Sequence, residues 1–250
     1  MDINQFQNFI INLFSEEKLN LREEEYGITT KGKDDIKRIG YSTNLAPEVI
    51  EEAIKNKIDL IITHHDAWDF VYGMKEYCVE KLEQNKIWHF YIHLPLDDAD
   101  FGTSAALSEK LGLRIVEKTN NYDGYYCGRI GELDNPIYLS TLVERIESVL
   151  EEPVKSWKNN EKIIKRVGIV TGGGSMTNDV KEAVDHNCDV YITGEKVLYT
   201  IQYAKFAKIN LIIGSHTFTE IFGVENLALK VKENFNEVEI LRLKEEHYEQ

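Results

Sequence analysis

The stretch DLIITHH, at Asp59–His65, joins a short apolar run to two adjacent histidines. The apolar run predicts a buried strand over 59–63, with both histidines at its carboxyl end. Outward from it, predicted strands (38–43, 59–63, 87–92, 165–171, 188–193 and 209–213) alternate with predicted helices (47–56, 74–85, 103–111, 177–187, 197–207 and 219–235). A further strand, helix and strand are expected within 122–157. This alternation is typical of an α/β protein with mixed, mainly parallel sheets.

The order of elements in the first half returns in the second half with similar residues. IGYST at 39–43 matches VGIVT at 167–171, and HLPLD at 93–97 matches HTFTE at 216–220. Between these anchors, EEAIKNKIDLIIT, which ends at Thr63, matches KEAVDHNCDVYIT, which ends at Thr193. We therefore expect two related α/β lobes, 1–120 and 161–250, with an inserted segment at 121–160. The lobes would form a single compact unit and face each other across a pseudo-twofold axis.

Composition excludes several classes of protein. The 250 residues carry a formal net charge of −14, which disfavours binding to nucleic-acid phosphates. No apolar run approaches the ~18–20 residues that span a bilayer, so a membrane partner is not expected. The first ten residues lack the basic start of a secretory signal, and three scattered cysteines cannot form a disulfide framework. These features predict a cytoplasmic protein.

Four of the seven histidines follow predicted strands, at the edge of the sheet where α/β proteins gather their ligands. They are His64, His65, His93 and His216. Neighbouring side chains diverge on a regular strand, so His64 and His65 could hold two ions, or one ion and a polar partner. A histidine pair that only caps the strand is the structural alternative. The remaining histidines, at 89, 186 and 247, receive no function.

Each lobe also places a carboxylate four residues after a histidine. The pairs are His93 with Asp97 and His216 with Glu220, a spacing that brings both groups to one helical face. Imidazole and carboxylate together suit Zn, Mn, Fe or Co, so the pairs predict a dinuclear metal site in the crevice between the lobes. Two alternatives stay open. Glu220 could instead complete a capping box that begins at Thr217, and the neighbouring acids Asp98 and Asp100 rival Asp97.

Two further motifs allow more than one interpretation. The run Gly172–Ser175 could present backbone N–H groups to an anion, although it lacks the lysine of a nucleotide P-loop, and it could equally be a tight turn. Gly194 and Glu195 occupy the position in the second lobe that His64 and His65 hold in the first. They could line the site without binding metal. Lys165, Arg166 and Lys196 are the candidate cations for a substrate phosphate.

These motifs, as an ordered set, resemble the Nif-three-like dinuclear metal-centre family, whose members are often labelled GTP cyclohydrolase I type 2. The resemblance is carried by DLIITHH, HLPLD, GIVTGGGS, CDVYITGE and GSHTFTE. It implies two divalent ions held by His64, His65, Asp97, His216 and Glu220, with His93 as a nearby polar or proton-transferring residue. It also implies a homohexamer. Where the family usually has a proline after the double histidine, this chain has Asp66.

The resulting hypothesis is a dimetal hydrolase in which His93 or Glu195 moves the proton. The resemblance implies a cyclohydrolase that opens the imidazole ring of guanine and releases formate from a small-molecule substrate, here a nucleotide. Phosphate binding by the ions would instead favour a phosphoesterase. A noncatalytic metal-binding scaffold that regulates other proteins would have the same fold and the same ligands.

Overall fold

A computed structural model describes residues 1–249 and divides the chain into two compact units. Unit 1 comprises Met1–Ala99 and Val224–His247, and unit 2 comprises Asp100–Gly223 with the residues that follow His247. The three-segment division drawn from the sequence stays a prediction. Within residues 1–249, no helix is both long and apolar enough to cross a bilayer.

Eleven strands and ten α-helices are formed by the described residues. The strands are β1 (Tyr26–Thr30), β2 (Arg38–Asn44), β3 (Leu60–His65), β4 (Trp88–Ile92), β5 (Arg114–Tyr122), β6 (Tyr125–Ile137), β7 (Lys155–Trp157), β8 (Ile164–Val170), β9 (Val190–Thr193), β10 (Asn210–Ile213) and β11 (Glu239–Arg242). The helices are α1 (Ile3–Phe14), α2 (Glu16–Leu19), α3 (Pro47–Lys55), α4 (Met74–Asn85), α5 (Leu94–Asp98), α6 (Thr103–Lys110), α7 (Leu139–Leu150), α8 (Thr177–Asp185), α9 (Leu198–Phe206) and α10 (His216–Asn234). A short 3-10 helix, Glu23–Glu25, precedes β1.

The sheet of unit 1 has the order β1-β4-β3-β2-β11. Its β4-β3-β2-β11 pairings are parallel, and β1 pairs with β4 in the antiparallel direction. Every residue of β3 is buried, as expected for a strand with parallel neighbours and both faces covered. Helix α3 begins with Pro47, where a missing N–H costs nothing. Its apolar face, with Val49 and Ile50, packs into the core over Ile61 of β3.

The sheet of unit 2 has the order β5-β6-β8-β9-β10-β7. Parallel pairing joins β8, β9 and β10, while β5, β6 and β7 add antiparallel pairs. Both sheets are therefore mixed, which confirms the predicted α/β class. The β6-α7-β7 segment likewise confirms the strand, helix and strand expected between residues 122 and 157.

An aspartate in each unit shows that the sequence repeat is also a structural repeat. In unit 1, Asp59 Oδ2 accepts hydrogen bonds from the backbone N–H groups of Lys37 and Arg38, both at 3.1 Å. In unit 2, Asp189 Oδ2 accepts the corresponding bonds from Lys165 and Arg166, at 3.0 and 2.9 Å. Each carboxylate thus fixes the start of the corresponding strand, β2 in unit 1 and β8 in unit 2.

Several elements differ from the prediction. The long helix predicted to begin at Thr219 begins at His216 instead, so His216 is part of the helix rather than of the turn before it. Helix α1 and strands β1, β5 and β11 were not predicted. Strand β11 lies at the edge of the unit 1 sheet and has no buried residue, so it lacks the apolar run that marks the inner strands.

Candidate metal centre

Strand β3 positions His64 and His65, and its two neighbouring strands hold their imidazole rings. His64 Nδ1 lies 2.9 Å from the carbonyl oxygen of Ile92 at the end of β4. His65 Nδ1 lies 2.9 Å from Oδ1 of Asn44 at the end of β2. Because both partners are oxygen acceptors, each Nδ1 carries the proton and each Nε2 keeps its lone pair. Both rings are buried, at 0% and 3% exposure.

The two rings lie side by side rather than on opposite faces of the strand. Their centroids are 4.4 Å apart, and the ring of His93 lies 4.9 Å from His64 and 5.1 Å from His65. The three imidazoles offer one nitrogen each, all within 4.8 Å of one another. The predicted alternation fails here because these residues end the strand, where Thr63 Oγ1 donates to the carbonyl oxygen of His65 at 2.7 Å.

His93 follows β4 and is tied to Glu25. Its Nδ1 lies 2.6 Å from Glu25 Oε2, so the carboxylate accepts the proton of Nδ1 and Nε2 is the basic nitrogen. This bond is the main reason why the pKa of Glu25 lies below its usual value. The side chain of His93 is 39% exposed, the most open of the three imidazoles.

Among the rival acids, the structure places Asp97 beside a histidine. Asp97 lies on α5, is 6% exposed, and approaches His64 Nε2 with Oδ1 at 3.4 Å. Asp98 instead forms an ion pair with Lys18 at 2.6 Å, and Asp100 forms one with Lys118 at 2.8 Å. In unit 1 the predicted residues His64, His65, His93 and Asp97 are therefore brought together.

The segment after the double histidine forms one wall of a cavity of about 230 Å³ in front of these imidazoles. The Trp68 ring lies 4.7 Å from His65 and stacks on Phe70 at 5.4 Å. Lys75 pairs with Asp66 at 3.0 Å and with Asp69 at 2.8 Å, which holds the two ends of the loop together. These residues form an aromatic and acidic wall beside the imidazoles.

In unit 2, His216 lies between two carboxylates. Its Nδ1 is 2.6 Å from Glu195 Oε1, and its Nε2 is 3.3 Å from Glu220 Oε2. Burial lowers the pKa of His216, but the charges of Glu220 and Glu195 outweigh burial and raise that pKa to about 11. The two carboxylates therefore favour positive charge at His216, whether a proton or a bound cation supplies it. The predicted residues Glu195, His216 and Glu220 are thus assembled in unit 2.

The glycine run allows the backbone to approach these ligands. Gly172 has φ +60, and a Cβ atom there would overlap the Glu220 carboxylate and lie 2.8 Å from His216 Nε2. The Gly172 N–H donates to Thr219 Oγ1 at 3.0 Å. Gly194 serves the same purpose, because a Cβ there would come within 2.7 Å of the His216 Cα. This contact favours the tight-turn interpretation over an anion-binding loop.

The capping-box interpretation of Glu220 is wrong. Helix α10 begins at His216, and Ser215 Oγ accepts the N–H of Phe218 at 3.1 Å, so Ser215 is the N-cap residue. Glu220 lies one turn further along, is 3% exposed, and directs its carboxylate to His216. The i, i+4 spacing therefore brings the Glu220 carboxylate to His216 rather than to the backbone N–H groups at the start of the helix.

Three residues around the site escaped sequence reasoning: Glu25, Asn44 and Glu245. Glu25 holds His93 and Asn44 holds His65, each through Nδ1, and Glu245 acts on His65 through Asn44. Glu25 belongs to an acidic run that is typical of a solvated surface, and the other two stand in no recognisable motif. The signal that could have found Asn44 is its place at the carboxyl end of β2, next to β3.

The donor set fits a divalent ion. Buried imidazoles with Nδ1 fixed by an oxygen acceptor present Nε2, which is the arrangement found in metal-binding histidines. Asp97 and Glu220 add buried oxygen donors that could bind borderline ions such as Zn, Fe, Mn or Co. The chain therefore has His, Asp and Glu groups capable of metal binding in both units.

Comparison with known proteins gives consistent matches over most of the chain. A GTP cyclohydrolase 1 type 2 homolog of Pyrococcus horikoshii is 29% identical over 232 residues, which cover 89% of this chain and 92% of the relative. A protein of the same description from Haemophilus influenzae is 30% identical over 209 residues, covering 81% and 82%. The crystal structure of TTHA1606 from Thermus thermophilus has the same fold, with a TM-score of 0.83 at 21% identity over 99% of this chain and 100% of that one. Residues 1–248 match the family described as Duf34/NIF3 (NGG1p interacting factor 3), and the chain belongs to that family.

Proposed function

We propose that the protein is a hydrolase that uses two divalent metal ions, bound by His64, His65, Asp97, His216 and Glu220. The observation that carries the proposal is the fixed orientation of the histidines. In unit 1 the Nδ1 atoms of His64 and His65 are held by oxygen acceptors, and in unit 2 Glu195 holds that of His216. Such outer partners orient a ligand and strengthen it as a base. Three histidines with only a structural role would not all need such partners.

The chemistry divides between the ions and the surrounding residues. Bound divalent ions would polarise the substrate and lower the pKa of water. His93 is suited to move the proton, because Glu25 fixes its Nδ1–H and leaves Nε2 as the base on the most exposed of the three imidazoles. Glu195, with its pKa lowered by the bond to His216, holds that ring and is the second candidate for proton transfer.

For the substrate we propose a guanine nucleotide whose five-membered ring is opened with release of formate. The name shared by the relatives, GTP cyclohydrolase 1 type 2 homolog, supports this choice. Of the candidate cations, Arg166 is engaged by Glu132 at 2.6 Å and is therefore a poor phosphate ligand. Lys196 instead lines a cavity of about 270 Å³ in unit 2, together with Lys155 and Glu195, and is the better candidate.

The test is turnover by purified protein loaded with each metal in turn. Formate release from GTP would support the cyclohydrolase, whereas phosphate release from a phosphoester panel would favour a phosphoesterase. His65→Ala and Glu220→Ala should abolish either product, while His186→Ala, a histidine held by Glu117 at 3.2 Å, should retain it. No turnover with any substrate, from protein that binds metal, would support the noncatalytic scaffold.

Metal content gives an independent check. Gently purified protein should carry about two ions per chain, and fewer than one would contradict the dinuclear site. A homohexamer and a cytoplasmic location complete the proposal. Light scattering of the purified protein tests the first, and fractionation of cells that produce it tests the second.

A further inference from the structure

We propose that Glu245 is a positioning residue for the metal ligand His65 and that it acts through the side-chain amide of Asn44. The inference rests on the proposed function for the role of His65, but the hydrogen-bond chain itself is a property of unit 1. Glu245 lies beyond β11, in the C-terminal segment that completes this unit. No motif in the sequence links it to the double histidine.

The Glu245 carboxylate closes the end of β2. One oxygen, Oε2, accepts the N–H of Thr43 at 2.8 Å. The other, Oε1, accepts both the backbone N–H of Asn44 at 2.8 Å and its side-chain Nδ2 at 3.0 Å. The side chain is nearly buried, at 7% exposure, so these bonds form away from competing water. A single carboxylate therefore fixes both the backbone and the side chain of Asn44.

The direction of these bonds determines which nitrogen of His65 carries its proton. An ionised carboxylate only accepts, so the NH₂ end of the Asn44 amide must face Glu245. The amide oxygen then faces His65 and lies 2.9 Å from Nδ1. That oxygen also only accepts, so Nδ1 holds the proton and Nε2 is left to bind a metal. If the amide were reversed, its NH₂ group would require the opposite tautomer.

His65 depends on this relay in a way that the other three histidines of the candidate site do not. Within residues 1–249, the Nδ1 atoms of His64, His93 and His216 face a backbone carbonyl or a carboxylate, neither of which can donate. Asn44 is an amide and can present either end to a ring. Its contact with Glu245 sets which end does so, which is why we assign the positioning role to that residue.

Two single variants test the relay at pH 8 with Co²⁺ as the probe, followed by its visible absorption. Glu245→Gln places a side chain that can both donate and accept opposite Asn44, so the amide direction is no longer fixed. Asn44→Ala removes the relay but keeps the two backbone N–H groups opposite Glu245. Each variant should bind Co²⁺ about 10- to 100-fold more weakly, the usual effect of losing an outer partner of a metal ligand. Glu239→Gln, an exposed acid on β11, is the matched control and should bind like the wild type.

A double variant separates positioning from stability. In Asn44→Asp with Glu245→Gln, the carboxylate faces His65 and the amide donates to it, so an acceptor for Nδ1 is restored. Co²⁺ affinity should return to within about threefold of the wild type, while the thermal midpoint stays at that of Glu245→Gln because the lost backbone acceptor is not replaced. Failure of the double variant to recover affinity would overturn the proposal, as would wild-type affinity in either single variant.

The tautomer of His65 can also be measured without metal. Nitrogen-15 NMR of the imidazole distinguishes the protonated from the unprotonated nitrogen, and wild-type His65 should carry its proton on Nδ1. Glu245→Gln should shift the population toward Nε2–H, and an unchanged tautomer would refute the role of Glu245. If the wild-type protein binds no metal, the proposed function fails, whereas this measurement still decides the positioning role.

Discussion

Replacement of Gly172 by alanine should damage the unit 2 ligands more than an alanine at another strained glycine. Gly172 has φ +60, a conformation that costs a residue with a side chain about 1–2 kcal/mol. Its new Cβ would also overlap the Glu220 carboxylate and reach 2.8 Å from His216 Nε2. Overpacking of this kind adds about 1–3 kcal/mol. The sum predicts a loss of about 2–5 kcal/mol in the free energy of unfolding.

Gly112→Ala is the matched control, since Gly112 also lies in unit 2 and has φ +72. Its nearest neighbour to a Cβ atom is Arg145 Nη1 at 3.7 Å, an ordinary contact. This variant should lose only the conformational cost of about 1–2 kcal/mol. It should also bind metal like the wild type, whereas Gly172→Ala should bind at least tenfold more weakly because Glu220 is displaced.

Urea unfolding measures the first difference, and titration with Zn²⁺ measures the second. The close approach of Gly172 to Glu220 predicts that the two variants separate in both assays. If they unfold with the same free energy and bind Zn²⁺ equally, the space left by Gly172 is not what places Glu220, and the reasoning is wrong.

Metal binding at His216 should strengthen as pH rises, by about tenfold per unit when one proton is released. The two carboxylates raise the pKa of His216 to about 11, so a metal ion must displace a proton to bind. Titration between pH 6 and 8 checks this, and a pH-independent affinity would contradict it. Burial raises the pKa of Glu245 from 4.5 to about 7, so between these values the folded state binds one more proton than the unfolded state. The free energy of unfolding should therefore fall by at most ~1.4 kcal/mol per pH unit as pH rises between them. Glu245→Gln should flatten that slope in urea unfolding at pH 5 and 8, and an unchanged slope would argue against it. Asp97→Ala should lower the metal content of the protein, whereas Asp98→Ala should not, since Asp98 pairs with Lys18. Elemental analysis distinguishes the two variants. If both lose the same amount of metal, Asp97 is not a ligand.

The strands beside the candidate ligands could be predicted because each is a short, mostly apolar run. Helix α4 was predicted with its observed bounds, and β3 begins one residue and ends two residues later than predicted. Apolar runs between parallel neighbours leave a strong local signal. Edge strands such as β1 and β11 leave a weak local signal, because β1 has one buried residue and β11 has none, and their pairing is set by residues far away in the chain.

The residues of the candidate site likewise divide into those with a local sequence signal and those without one. His64 and His216 could be found from their position after apolar strands, and Glu220 from its spacing to His216. The choice of Asp97 over Asp98 depends on which way a short helix turns, and local sequence does not set this. Asn44 and Glu245 act across some 200 residues of chain, so no short motif could have contained them both.

Unit 1 is discontinuous in the chain, and this has a consequence for its synthesis. His64 and His65 leave the ribosome early, but β11 and Glu245 follow only after all of Asp100–Gly223 has been made. Until then β2 presents an unpaired edge, which is a site for wrong pairing with other chains. All six strands of the unit 2 sheet are therefore made before unit 1 can complete its own sheet, which reverses the usual order of folding from the amino terminus. A nascent chain would complete the hydrogen bonds between Glu245 and Asn44 among the last events of its folding.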